Sequence, residues 1–195
     1  PSTLSDYLAS GIVSPGSFDE KIRALCVIIG LHDIGKVSPF QDKVPALSKW
    51  HKEHGFAFGQ GLEKDHGLNS GRFLRWLFDN RSSDRCAPAN AIASAVSGHH
   101  GTLFGSSDLR RHPVTKESWK LWKEAQEIHA RTLFSLFELS EYESIEFADV
   151  TASWCFVLAG LTSVVDWLGS DETRFPFHPD IPDDFLAYLD GRREA

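Results

Sequence analysis

The stretch FDEKIRALCVIIGLHDIGK, residues 18–36, decides how this chain folds. Its apolar residues recur at helical spacing, two acids open it, and Gly35 stands just past its end. The pattern predicts a helix beginning near Phe18. That helix sets His32 and Asp33 side by side at the end of the apolar run ALCVIIGL. Burying charge in such a place is costly unless something neutralises it. The pair is therefore either solvated at a helix end or holding a cation.

Outward from this stretch the helical period persists, with no run of alternating strands. DHGLNSGRFLRWLFDN places Leu68, Phe73, Leu74 and Leu77 near one face, and APANAIASAVSGHHG reads as a short helix that Gly101 closes. A longer helix is expected across TKESWKLWKEAQEIHARTLFSLFEL, followed by an acidic loop, SEYESIE. ADVTASWCFVLAGLTSVVDWLGSDE is the most hydrophobic stretch and is expected to form a central helix. Val37 to Gly61 reads as an irregular insertion and FPFHPDIPDD as a proline-broken tail. The expectation is one all-α domain over residues 1–195.

Composition narrows the class. The chain has 195 residues, 42% hydrophobic and 12% aromatic, enough for one substantial core. No stretch approaches the ~20 apolar residues of a membrane span, and no signal peptide is visible. A net charge of −7 argues against a freestanding nucleic-acid binder without excluding an enzyme that acts on nucleic acid. Of three cysteines, Cys26 and Cys155 lie in apolar runs and read as core, while Cys86 reads as part of a polar loop. An odd count with no export signal favours a reducing cytoplasm. The absence of a methionine before Pro1 reads as a fragment or processed product.

Nine histidines are the informative excess. Neighbouring helical side chains diverge by about 100°, so His32 and Asp33 converge only at a helix end, where Gly35 lets the chain turn. SGHHG repeats the device, with His99 and His100 between glycines. Imidazole and carboxylate together suit borderline divalent metals. Asp166, in the apolar LTSVVDWLGS, is either a hydrogen-bonded core acid or a ligand, and the two histidine clusters favour the ligand. His66 alone would read as a capping or surface residue.

The order His-Asp, His, His-His, Asp resembles the HD superfamily of metal-dependent phosphohydrolases. More closely it resembles the HD nuclease domain of the CRISPR-associated type I helicase-nuclease. The resemblance rests on LHDIGKVSPFQ, DHGLNSGRFL, AVSGHHG and LTSVVDWLGSD, which span residues 31–171. It implies an HD-domain helical bundle holding two divalent transition-metal ions, with manganese, iron, cobalt or nickel favoured. His32, Asp33 and Asp166 would hold one ion, and His66, His99 and His100 the other, with Asp33 bridging. Two ions about 3.5–4 Å apart suit phosphodiester hydrolysis, activating water and offsetting charge on the phosphoryl oxygens. Lys36 would meet a phosphate and Ser170 a ligand or the substrate, although a solvated lysine and a helix-end serine are equally good readings. The family also places a metal-binding histidine upstream, and residues 1–31 contain none. A chain that starts after that helix is the expectation.

The implied activity is cleavage of single-stranded DNA in type I CRISPR interference. The implied partners are a surveillance complex and a helicase, fused or separate, in the cytoplasm. The rivals are an HD phosphohydrolase of nucleotides or cyclic nucleotides, and a non-catalytic HD-like docking module. His51 and His54 are read as exposed loop residues, the basic DLRRHP as solvated surface, and Trp119 and Trp122 as core or a docking face. His112, His129 and His178 have no partner in the pattern.

Overall fold

A capping box starts the decisive helix where its acids predicted. The Ser17 hydroxyl accepts from the Glu20 amide, and the Glu20 carboxylate accepts from the Ser17 amide, at the head of α2 (Phe18–Gly30). The computed structural model describes residues 3–58, 65–79, 86–110, 119–139 and 145–175. A short α1 (Leu4–Ala9) precedes α2, and a tight 3₁₀ turn (Leu31–Lys36) follows it. The α-helix thus ends one turn earlier than expected, and the His-Asp pair sits on the turn. A second 3₁₀ turn (Pro39–Lys43) and α3 (Pro45–Glu53) come next, so the expected irregular insertion is largely helical up to Glu53 and irregular over residues 54–58.

The remaining helices are α4 (His66–Asp79), α5 (Cys86–Ser97), α6 (Ser106–Arg110), α7 (Lys120–Leu136) and α8 (Ala152–Gly169). A 3₁₀ turn (Gly98–His100) extends α5, closed by Gly101 at φ 88°, a left-handed conformation that favours glycine. The chain is an all-α bundle, as expected. One feature escaped the helical reading: β1 (Ile12–Ser14) pairs antiparallel with β2 (Glu146–Phe147). Both strands are too short to show a period of two. The tail FPFHPDIPDD after Phe175 and most of the SEYESIE loop lie outside the described residues.

The core is built from α2, α4, α5 and α8. Val27 and Ile28 share one buried cluster with Phe73, Leu74 and Leu77 of α4, Ile92 and Val96 of α5, and Trp154 and Leu158 of α8. Gly35 is where α4 comes closest to the His-Asp turn. A Cβ there would collide with the His66 carbonyl and the Ser70 amide, and the Gly35 N–H instead donates to Ser70 Oγ at 2.8 Å. This close approach brings His66 up to Asp33.

Three further expectations need correction. Cys26 is exposed rather than core, because it falls on the outward stripe of α2 with Gly30, four residues on. Cys86 opens α5 rather than lying in a loop. The most hydrophobic helix, α8, is not central either. By length and composition it could cross a membrane, but here it packs one stripe, Trp154, Leu158 and Thr162, into the bundle. Its opposite face leaves Phe156 and Trp167 exposed at 63% and 74%.

Candidate metal centre

Two 3₁₀ turns and two helices bring six side chains to one place. His32 donates Nδ1–H to the Ile29 carbonyl at 2.9 Å, and His99 donates Nδ1–H to the Val96 carbonyl at 3.0 Å. A carbonyl only accepts, so each contact puts a proton on Nδ1 and turns Nε2 inward. His66 occupies the first turn of α4, where Asp65 Oδ1 accepts from the Leu68 amide. Asp166 comes from the last turn of α8.

Asp33 is the hub. Its Oδ2 lies 3.4 Å from His32 Nε2, and its Oδ1 lies 3.5 Å from His66 Nε2 and 3.8 Å from His99 Nε2. Asp166 Oδ1 is 3.4 Å from His32 Nε2. His66 Nε2 faces His100 Nε2 at 2.9 Å, a spacing that requires a shared proton or cation between the two nitrogens.

The donor chemistry fits a divalent cation. Ligand atoms of His66, His99 and His100 lie within 4.8 Å of one another, as do those of His32, His99 and Asp166. Ligand distances of about 2.0–2.2 Å would place donors of one ion at nearly that spacing. Asp33 Oδ1 and His99 Nε2 are buried with no hydrogen-bond partner among the described residues. Two such atoms side by side are costly unless a cation satisfies them. The sequence reading assigned His99 to the His66–His100 group; in the structure it stands at the junction of both groups.

The local field supports ligation. Burial opposes ionisation of Asp33, but the hydrogen bonds and charges of His32 and Lys36 outweigh it and hold the carboxyl well below its usual range. Burial pulls His66 and His99 below the ordinary histidine range, outweighing the opposing pull of Asp33 on both and of the Val96 carbonyl on His99. For His32 burial acts downward as well, but Asp33, the Ile29 carbonyl and Asp166 raise it overall.

Lys36 Nζ reaches Asp33 Oδ2 at 2.5 Å, so it is engaged with the hub. Ser170 is exposed at the end of α8, and its amide donates to the Asp166 carbonyl at 2.9 Å. Its helix-end position is what the structure places there. The pattern alone did not signal the supporting side chains. Ser163 Oγ lies 2.7 Å from the His99 carbonyl as a donor, tying that turn to α8. Asn69 Nδ2 donates to Ser38 Oγ at 3.0 Å, tying the 39–43 turn to α4. Phe40 stands edge-on to the His66 ring at 4.9 Å.

Two clefts flank the cluster. One, of about 380 Å³, is lined by Lys43, Asp65, His66, Ser97, His100 and Phe104. The other, of about 430 Å³, is apolar and runs between Asp33, Ile34 and Val37 and the Ile128–Leu133 part of α7, with His129 on its wall.

The decoys resolve differently from one another. His51 lies in the last turn of α3 rather than in a loop, half-buried beside the rings of Phe56 and Trp122, while His54 follows the helix as an exposed turn residue stacked on Trp50. Trp119 and Trp122 are fully buried. Of DLRRHP, Asp108–Arg110 belongs to α6, while residues 111–113, His112 among them, lie outside the described residues, as does His178.

A helical bundle in which an adjacent His-Asp pair meets histidines from other helices defines the class of HD domains. This chain belongs to the family of the Cas3 HD domain, whose model matches residues 2–175. It is 30% identical over 158 residues to the CRISPR-associated endonuclease/helicase Cas3 of Thermus thermophilus, covering 78% of this chain and 17% of that protein. The chain therefore spans about a sixth of that curated relative. A crystal structure of the T. thermophilus Cas3 HD domain in the presence of Ni2+ superposes with TM-score 0.65 and 25% identity over 100% of this chain and 74% of that one. A CRISPR-associated protein matches with TM-score 0.73 and 27% identity over 91% of this chain and 20% of that one. T. fusca Cas3-ATP shares the fold at TM-score 0.57 and 19% identity, over 97% of this chain and 23% of that one.

Proposed function

We propose that this chain is the nuclease domain of a CRISPR-associated protein and hydrolyses phosphodiester bonds of single-stranded DNA with bound divalent metal. The observation that carries the reading is the pair of buried, unpartnered atoms, Asp33 Oδ1 and His99 Nε2, inside a ring of four further donors. His32, Asp33 and Asp166 would hold one ion, and His66, His99 and His100 a second, with Asp33 shared because a carboxylate has two oxygens to offer. Manganese, iron, cobalt and nickel suit this donor set, and the related T. thermophilus domain was crystallised with Ni2+. When bound, such ions supply an acidified water and positive charge opposite the phosphoryl oxygens.

The chain's own residues do the rest. His32 and His99 are aimed by their Nδ1–H bonds, so their Nε2 lone pairs are pre-oriented. Lys36 holds Asp33 ionised and in place, and Ser170 stands by at the α8 terminus. The exposed edge at His100 lets a polymer reach the cluster, which fits a strand better than an enclosed small molecule. In the longer proteins of this family, helicase and surveillance-complex partners would deliver the strand in the cytoplasm, consistent with the acidic charge of this chain.

The test is cleavage of circular single-stranded DNA by metal-stripped protein with manganese, iron(II), cobalt or nickel restored, and a cyclic dinucleotide run alongside. Metal-dependent nicking that Asp33→Ala abolishes is expected. Turnover of the dinucleotide alone would replace the nuclease by a phosphohydrolase. Inertness toward both would leave a binding module.

A further inference from the structure

Lys36 was the cation expected to meet a phosphate, yet it is committed to Asp33. The cleft beside His66 and His100 contains a different one. Lys43 lines that cleft and makes no ion pair among the described residues, unlike Lys36, Lys49, Lys52 and Lys123. Its Nζ lies over the Phe40 ring at 4.1 Å, and that ring stands edge-on to His66 at 4.9 Å. An ammonium over an aromatic face keeps its full positive charge, so it can still attract an anion.

The turn that bears Lys43 is well anchored. Ser38, fully buried, accepts from the Phe40 amide at 3.1 Å and from Asn69 Nδ2 at 3.0 Å. Asn69 lies three residues beyond His66, on the same side of α4. The lysine is thus tied to the helix that carries a candidate metal ligand. A cleft of about 380 Å³ falls within the range of small-ligand sites, roughly 300–1,000 Å³.

We propose that Lys43, backed by Phe40, is a positioning residue that binds the backbone phosphate next to the one being cleaved. The inference rests on the nuclease reading and assigns the polymer contact within it. A phosphodiester strand whose scissile group lies at the histidine cluster passes its neighbouring phosphate through this cleft. There, among the described residues, Lys43 is the lysine with no carboxylate partner.

The test uses a single-stranded oligonucleotide, steady-state kinetics and a salt series, with Lys43→Ala, Lys43→Arg and Asp33→Ala. Loss of one phosphate contact should raise KM about tenfold while kcat changes little. It should also make the dependence of log affinity on log salt shallower by about 0.7 for a single strand. Lys43→Arg should recover most of both. If the wild type cuts and Lys43→Ala matches it in KM and salt slope, the assignment to Lys43 falls and the nuclease reading stands. If the wild type neither cuts nor binds the oligonucleotide in any metal while Asp33→Ala behaves identically, both fall together.

Discussion

Asp33 serves four neighbours with two oxygens, and this explains why its carboxyl stays ionised although it is only 25% exposed. The residues around it divide by protonation. His66 and His99 are held below the ordinary histidine value of 6.5, whereas His32 is held above it. A proton and a metal compete for the same nitrogen. The proton on His32 must leave before that nitrogen can ligate, so metal affinity should climb as pH rises through a range above the ordinary histidine value. His66 and His99, already neutral there, should add their own losses only below 6.5. Calorimetric titration with Mn2+ between about pH 6 and about 8.5 checks this. A flat profile would remove His32 from the ligand set. The His-Asp and His-His pairs were legible at this scale because both stand beside glycines at the ends of apolar helical runs. Lys43 and Phe40 were not, because their importance comes from what they face.

At the scale of elements, the decisive contact is α4 lying on the 31–36 turn at Gly35. A methyl group there has nowhere to go, since the two nearest obstructing atoms are backbone rather than flexible side-chain ends. Gly35→Ala should therefore displace the first turn of α4, costing about 2 kcal/mol of stability and weakening metal binding through His66. Chemical denaturation and metal titration on the same variant read both effects; a variant as stable and as tight as the wild type would show that the approach is not required. Helix starts were legible where capping residues stand in sequence, as at Ser17 and Glu20. The helix end was less so. The apolar run continues smoothly past Gly30, and only packing turns the backbone into 3₁₀ geometry there.

The whole molecule gains from metal in a way that neither residue nor element shows. The candidate ligands come from positions 32 to 166 and are adjacent only when α4, α5 and α8 have packed. A cation therefore binds the folded chain and not the unfolded one, stabilising it by about 2.7 kcal/mol at a hundredfold excess over Kd. For a chain of this size that is a rise of about 5–10 °C in Tm. Thermal scans with and without chelator measure it, and His99→Ala should remove most of the rise. An unchanged Tm with saturating manganese, iron(II), cobalt or nickel would mean that the six side chains do not form a metal centre. The sequence by itself determined the helical class and the main helices, because periodicity and caps are local properties of a chain. It also pointed to His32, Asp33, His99, His100 and Asp166 as candidate ligands, while His66 entered only through the family resemblance. Only the tertiary structure decided that His99 stands between the two ligand groups, that α8 shows one apolar face to solvent, and that Lys36 is taken while Lys43 is free to face the cleft. Those outcomes depend on distances between residues far apart in sequence, which packing alone sets.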